Sequence, residues 1–178
     1  MKKFVLERIK NGLAQGLNEK VQTRISNGVA NLVRRNSVTE EFLLVHSFSH
    51  ALIRQLAFEC GYDTSSLKER IFVGKNEELE MCAVLIYTAN GDSEGSLGGL
   101  VERARPGLLE QTIYDAVEGS AFCSNDPVCT ESGISGQNKD NVVACHACNM
   151  LPETSCEHGN AKIIDGKSKV LLNGKINW

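Results

Sequence analysis

The stretch CHACNMLPETSCEHGN, residues 145–160, places three cysteines and two histidines within sixteen positions. Cys145 and Cys148 have the C-x2-C spacing with which two thiolates of one tight turn bind a single tetrahedral ion. Cys123 and Cys129 supply a second pair at wider spacing, so Cys123, Cys129, Cys145 and Cys148 are the preferred ligands for Zn2+. Cys156, eight residues after Cys148, is an alternative to either member of the wider pair, and His146 and His158 are alternative nitrogen donors. Four thiolates fill a tetrahedral ion and leave no position for water, so such a site stabilises a fold rather than polarising a substrate. Four cysteines also suit an iron-sulfur cluster. The plain alternative, five unrelated thiols, would have to bury them in a segment with few apolar neighbours. A redox C-x-x-C centre opens a helix after a strand, whereas this pair is expected in a loop.

Three further groups could carry chemistry. His46 and His50 are four apart on one helical face, but HSFSH lacks the glutamate of the metalloprotease motif, so a buried, hydrogen-bonded pair is expected. Asp92 and Glu94 precede GSLGGL, where a loop can set backbone N–H groups and a carboxylate against a ligand. The GxxxxGK[ST] pattern is absent, and a tight turn whose glycines permit close helix packing is preferred. A nucleic-acid-processing enzyme would join Asp92 and Glu94 to His46 or His50 and would need two metal ions roughly 4 Å apart. Arg54, Arg70, Arg103 and Arg105 would suit phosphate if they converged, and are otherwise salt-bridge partners of the abundant acids.

These residues need elements to hold them. EEFLLVHSFSHALIRQLAFEC shows a stripe of Phe42, Val45, Ser49, Ile53, Leu56 and Cys60, with Ser37 and Glu40 spaced as a capping box and Gly61 as the stop. SSLKERIFV predicts a short helical turn leading into a strand, and CAVLIYT a buried strand containing Cys82. Glycines then mark a loop, and Pro106 starts a helix with Leu109, Ile113 and Ala116 or Val117 inward. From Cys123 the chain is loop-like and needs another source of order, and the tail suggests two short strands around Asp165 and Gly166. Residues 3–35 carry a loose helical period, interrupted by Gly12, Gly16 and Gly28. The expected organisation is a helical N-terminal arm, 1–36, followed by one zinc-binding domain, 37–178. The expected fold class is α+β: helices packed on a small sheet with a cysteine-rich C-terminal region.

The chain has 178 residues, 42% of them hydrophobic and 23% charged, as an ordinary globular protein has. A net charge of -3 supplies no global attraction for polyanions, and contact with DNA would need a local basic patch. The sequence contains neither a membrane-length apolar run nor a signal-peptide pattern, so a cytoplasmic location is expected. In that compartment seven cysteines point to metal or buried thiols rather than disulfides.

Five blocks in order, LVHSFSHALIRQLAFECGY, SLKERIF, LIYTANGDSEGSLGGLVERARPGLLEQ, FCSNDPVC and ACHACNMLPETSCE, resemble one known domain. It is the C-terminal zinc-binding (MZB) domain of the DrmB-type accessory proteins of DISARM antiphage systems and, more distantly, of MrfA-type DNA-repair helicases. The resemblance implies zinc on Cys123, Cys129, Cys145 and Cys148, with Cys156 matching a further recurrent cysteine. It implies a DNA helicase or another defence-system subunit as partner. No Walker A lysine motif or DEAH-like box is present, so the chain is not itself the ATP-hydrolysing motor. The resulting expectation is a non-catalytic, helicase-associated accessory module. A nucleic-acid-processing enzyme and a purely structural protein-interaction module are the alternatives.

Overall fold

The computed structural model describes residues 38–75, 80–88, 98–132, 134–135 and 140–164, with Thr23, Asn27 and Ala30 as helical positions ahead of them. The remainder of the expected 1–36 arm, the Asp92 and Glu94 loop and the Asp165–Gly166 hairpin lie outside the described residues. The architecture is α+β, helices packed on a small antiparallel sheet, with a cysteine-rich region beside them.

Helix α1, Glu40–Cys60, is the spine. Its cap is Thr39, whose side chain accepts from the Phe42 N–H at 3.2 Å, and not the expected Ser37. Gly61 closes it with φ 73°, a left-handed conformation that an added Cβ would strain. Of the expected stripe, Val45, Ile53 and Leu56 are buried and Phe42 and Cys60 half-buried, and Leu43 and Ala57 are buried beside it. His46, Ser49 and His50 are also wholly buried, so part of the inward face is polar.

After a single 3-10 turn, Thr64–Ser66, strand β1, Leu67–Lys75, pairs antiparallel with β2, Glu80–Thr88, in a register running from Leu67 opposite Thr88 to Lys75 opposite Glu80. The two-residue period turns Leu67, Glu69, Ile71 and Val73 to the side of α1 and leaves Arg70 and Phe72 outside. The second strand is not buried as expected. In a two-stranded sheet one face stays open, and Leu85 and Tyr87 on it are exposed; Cys82, opposite Val73 on the other face, is exposed toward the turn end of the hairpin.

The glycine segment is partly helical: α2, Gly98–Arg103, packs on α1 so closely that a Cβ on Gly99 would lie 3.2 Å from Cys60 Cβ. The expected glycine-permitted helix packing is therefore present at this position. Helix α3, Leu108–Gly119, starts after Gly107 (φ 87°), not at Pro106. The Gly107 N–H donates to Glu110 at 2.6 Å. Ala116 and Val117 face inward and Ile113 is half-buried, but Leu109 is 37% exposed; Thr112 takes the inward place one turn on. Thr112 donates to Glu59 at 2.6 Å, Gln55 donates to its other oxygen at 2.7 Å, and Arg103 pairs with it at 3.3 Å, which ties α1, α2 and α3 together.

The apolar core joins Ala51, Leu52, Ile53, Leu56 and Ala57 of α1 to Leu67, Ala116 and Leu151. Beyond it lie α4, Val128–Ser132, and two short paired strands, β3, Ile134–Ser135, and β4, Asn141–Val142. No helix among the described residues is long and apolar enough to cross a membrane.

Candidate metal centres

The loop-like region from Cys123 onward is ordered by buried amides as well as by its sulfurs. Asn141 donates to the Asn160 carbonyl at 2.7 Å and accepts from the Ile163 N–H at 2.9 Å. Asn160 holds both backbone groups of Leu151, at 2.9 and 2.6 Å. Asn149 donates to the Ile164 carbonyl at 3.2 Å. Amide hydrogen bonds of this kind can replace a regular ladder for a segment poor in secondary structure, although Asn149 Oδ1 itself is buried without a partner among the described residues.

Cys123, Cys129, Cys145 and Cys148 converge from the loop before α4, from α4 and from the C-x2-C turn, with all four sulfurs within 4.8 Å of one another. Sulfur separations are 3.6 Å for Cys123–Cys145, 3.8 Å for Cys129–Cys148 and 3.7 Å for Cys145–Cys148. A tetrahedron with zinc–sulfur bonds of about 2.3 Å has edges of about 3.8 Å. The donor set and its spacing therefore fit zinc. Burial opposes ionisation of Cys145, but the N–H groups of Ala147 and Cys148 and the sulfurs of Cys123 and Cys129 outweigh it and hold this thiol below its ordinary range.

Arg54 supports the turn from below. Its guanidinium donates to the carbonyls of His146 and Ala147 at 3.5 and 3.1 Å, inside the C-x2-C loop. The other candidate basic residues are also engaged: Arg70 with Glu157 at 3.5 Å, Arg103 with Glu59 at 3.3 Å and Arg105 with Glu102 at 2.9 Å. The salt-bridge expectation describes three of the four, and Arg54 does something the sequence did not suggest.

Cys156 is not the spare of the sulfur quartet. It belongs to a second buried group with His46, His50 and Glu69, whose ligand atoms also lie within 4.8 Å of one another. His46 Nε2 is 3.2 Å from Cys156 Sγ and 3.2 Å from Glu69 Oε1, and His50 Nε2 is 3.3 Å from the same oxygen. The tail reaches this place by running along the edge of β1, where the Glu69 N–H donates to the Ser155 carbonyl at 3.2 Å and the Ile71 N–H to Glu157 at 2.9 Å. Burial holds His46 below the ordinary imidazole pKa, so it is neutral at pH 7. Burial also acts to raise Glu69, but the two histidines more than offset it and the carboxyl stays well below its usual range. The Cys156 thiol is pushed up to about 12, chiefly by burial, against the N–H groups of Asn160 and His158 that point at its sulfur.

The expected buried, hydrogen-bonded histidine pair is thus present, but its companions Glu69 and Cys156 were missed. A signal existed for Glu69: a glutamate in phase with Leu67, Ile71 and Val73 on the inward face of a strand must have a buried partner. No local pattern links Cys156 to His46, 110 positions earlier. His146 and His158 lie outside both groups; the His158 ring stacks edge-on against Phe42 at 4.8 Å.

A family model described as the MrfA Zn-binding domain (MZB) matches residues 48–149, a span that holds all four cysteines of the sulfur quartet. The DISARM protein DrmB of Bacillus paralicheniformis is 45% identical over 143 residues, covering 76% of this chain and 25% of that protein. The chain therefore spans a quarter of the length of the curated relative it matches.

Proposed function

The chain belongs to the MrfA Zn-binding domain family, and from that premise we propose that it is a non-catalytic, zinc-stabilised accessory module acting with a DNA helicase in antiphage defence. In this reading residues 37–178 form the helicase-associated domain, residues 1–36 a helical arm, and the module works in the cytoplasm. Zn2+ is held by Cys123, Cys129, Cys145 and Cys148, where four thiolates complete the coordination shell and supply folding energy rather than a reactive position. The observation that carries the reading is this sulfur quartet, at tetrahedral edge distances inside the family-matched span.

His46 and His50, the side chains an enzymatic reading would use, are wholly buried. That favours a structural role for them over contact with a substrate. The relative's membership of DISARM supports the defence context, and its extra length is where a partner-binding region would be sought. Direct DNA contact through a local basic patch belongs to the same proposal. It predicts retention of duplex DNA at low salt, with a loss of affinity as salt rises.

The deciding experiment is affinity capture of the tagged full chain from its native host, with identification of bound proteins by mass spectrometry. A helicase recovered in stable proportion is the expected result. Repeated capture without any helicase or defence-system subunit would overturn the proposal.

A further inference from the structure

We infer that His46, His50, Glu69 and Cys156 form a second, closed metal centre, independent of the sulfur quartet and suited to a zinc-like divalent cation. Four atoms capable of donating an electron pair meet at one buried point: two imidazole Nε2 atoms, one carboxylate oxygen and one sulfur. For a tetrahedral ion bound at typical zinc distances, nitrogen–oxygen edges are about 3.3 Å and nitrogen–sulfur edges about 3.6 Å. The observed nitrogen–oxygen separations are 3.2 and 3.3 Å, and His46 Nε2 to Cys156 Sγ is 3.2 Å.

The outer atoms of His50, Glu69 and Cys156 are held as ligands require, while His46 Nδ1 is buried without a hydrogen-bond partner among the described residues. His50 Nδ1 lies 2.7 Å from the Asn149 carbonyl, which can only accept, so the ring hydrogen sits on Nδ1 and a neutral ring turns the lone pair of Nε2 inward. Inward, it meets Glu69 Oε1, itself an electron-pair donor. Ser49 Oγ donates to Glu69 Oε2, and Oε1, which also accepts from the Glu157 N–H at 3.3 Å, faces the centre. The backbone N–H groups of His158 and Asn160 donate to Cys156 Sγ at 3.3 and 3.2 Å, as they would to a metal-bound thiolate.

Charge favours the same assignment. One carboxylate and one thiolate balance a divalent cation and the two imidazoles are neutral, so the filled site carries no net charge into the interior. Binding exchanges the thiol proton of Cys156, released to solvent, for the ion. Four protein donors with full burial leave no place for substrate, so the centre fastens α1, β1 and the tail rather than doing chemistry. The family-matched span starts after His46 and ends before Cys156, so it does not contain this group whole.

Metal analysis combined with zinc-edge X-ray absorption on the full chain, purified without chelator, tests the inference without any substitution. Two zinc ions per chain are expected, with a mean first shell mixing sulfur and nitrogen or oxygen. One zinc per chain in an all-sulfur shell would overturn the second centre and leave the quartet standing. One zinc in a shell dominated by nitrogen and oxygen would keep it and remove the quartet. Cys156→Ala should then halve the zinc and leave an all-sulfur shell, and unchanged content in a folded Cys156→Ala chain would refute the assignment.

Discussion

The two centres are built in opposite ways. The sulfur quartet is drawn from a 26-residue segment, Cys123 to Cys148, with its C-x2-C turn partly exposed, and its ligands are of one kind. The histidine-containing group is assembled from a helix, a strand and a tail; it is wholly interior and uses three kinds of donor. Filled by a divalent ion, the quartet carries an excess of two negative charges, and the Arg54 cation sits under its turn. The other group needs no such neighbour because it is neutral when filled. A local site can carry surplus charge because water and a nearby cation screen it, whereas an interior one must balance within its own ligands.

The contrast can be broken most forcefully at the quartet. Changing Cys145 and Cys148 together to serine should abolish zinc binding there. Structural zinc binding is worth on the order of 10 kcal/mol, so the thermal unfolding transition should broaden or vanish, as circular dichroism would show. His50→Ala removes the Nε2 that faces the interior group and the Nδ1 that binds the Asn149 carbonyl. Removing one member of a buried charged cluster typically costs about 3–5 kcal/mol, measurable as a fall in urea midpoint.

Arg54→Ala sharpens the comparison because it should act on one centre only. Losing a guanidinium that fixes two carbonyls of the turn should weaken zinc at the quartet by about tenfold in chelator competition, with no change in the histidine-containing group. A parallel loss of metal from both would show that they are coupled through Cys148, Asn149 and His50. Gly61→Ala is the control, since nothing crowds the added methyl and only the left-handed backbone resists it. About 1 kcal/mol of stability should be lost with both metals retained.

Sequence made the local centre legible and left the distributed one half-seen. C-x2-C spacing is a property of neighbours, so Cys145 and Cys148 announced themselves, and the clustering of cysteines brought in Cys123 and Cys129. Helix α1 was equally plain from its apolar stripe and Gly61. The pairing of Glu69 and Cys156 with His46 and His50 depends on how a strand edge recruits the tail, and no periodicity encodes that. The expected burial of Cys82 failed for a related reason. An apolar run says that a strand forms, but how far the packed elements reach along it decides which residues are covered, and Cys82 lies opposite Val73 toward the turn end of the hairpin.

That exposure has a practical use. Of the seven cysteines, five sit in the two clusters, Cys60 is half-buried, and Cys82 alone is exposed, toward the turn end of the hairpin. A thiol-reactive dye added to the native chain should therefore mark Cys82 first, and the slower thiols should become reactive only as chelator strips the centres. The time course of labelling would report the metal state of the chain, and the dye on Cys82 would serve as a spectroscopic reporter that leaves every ligand untouched.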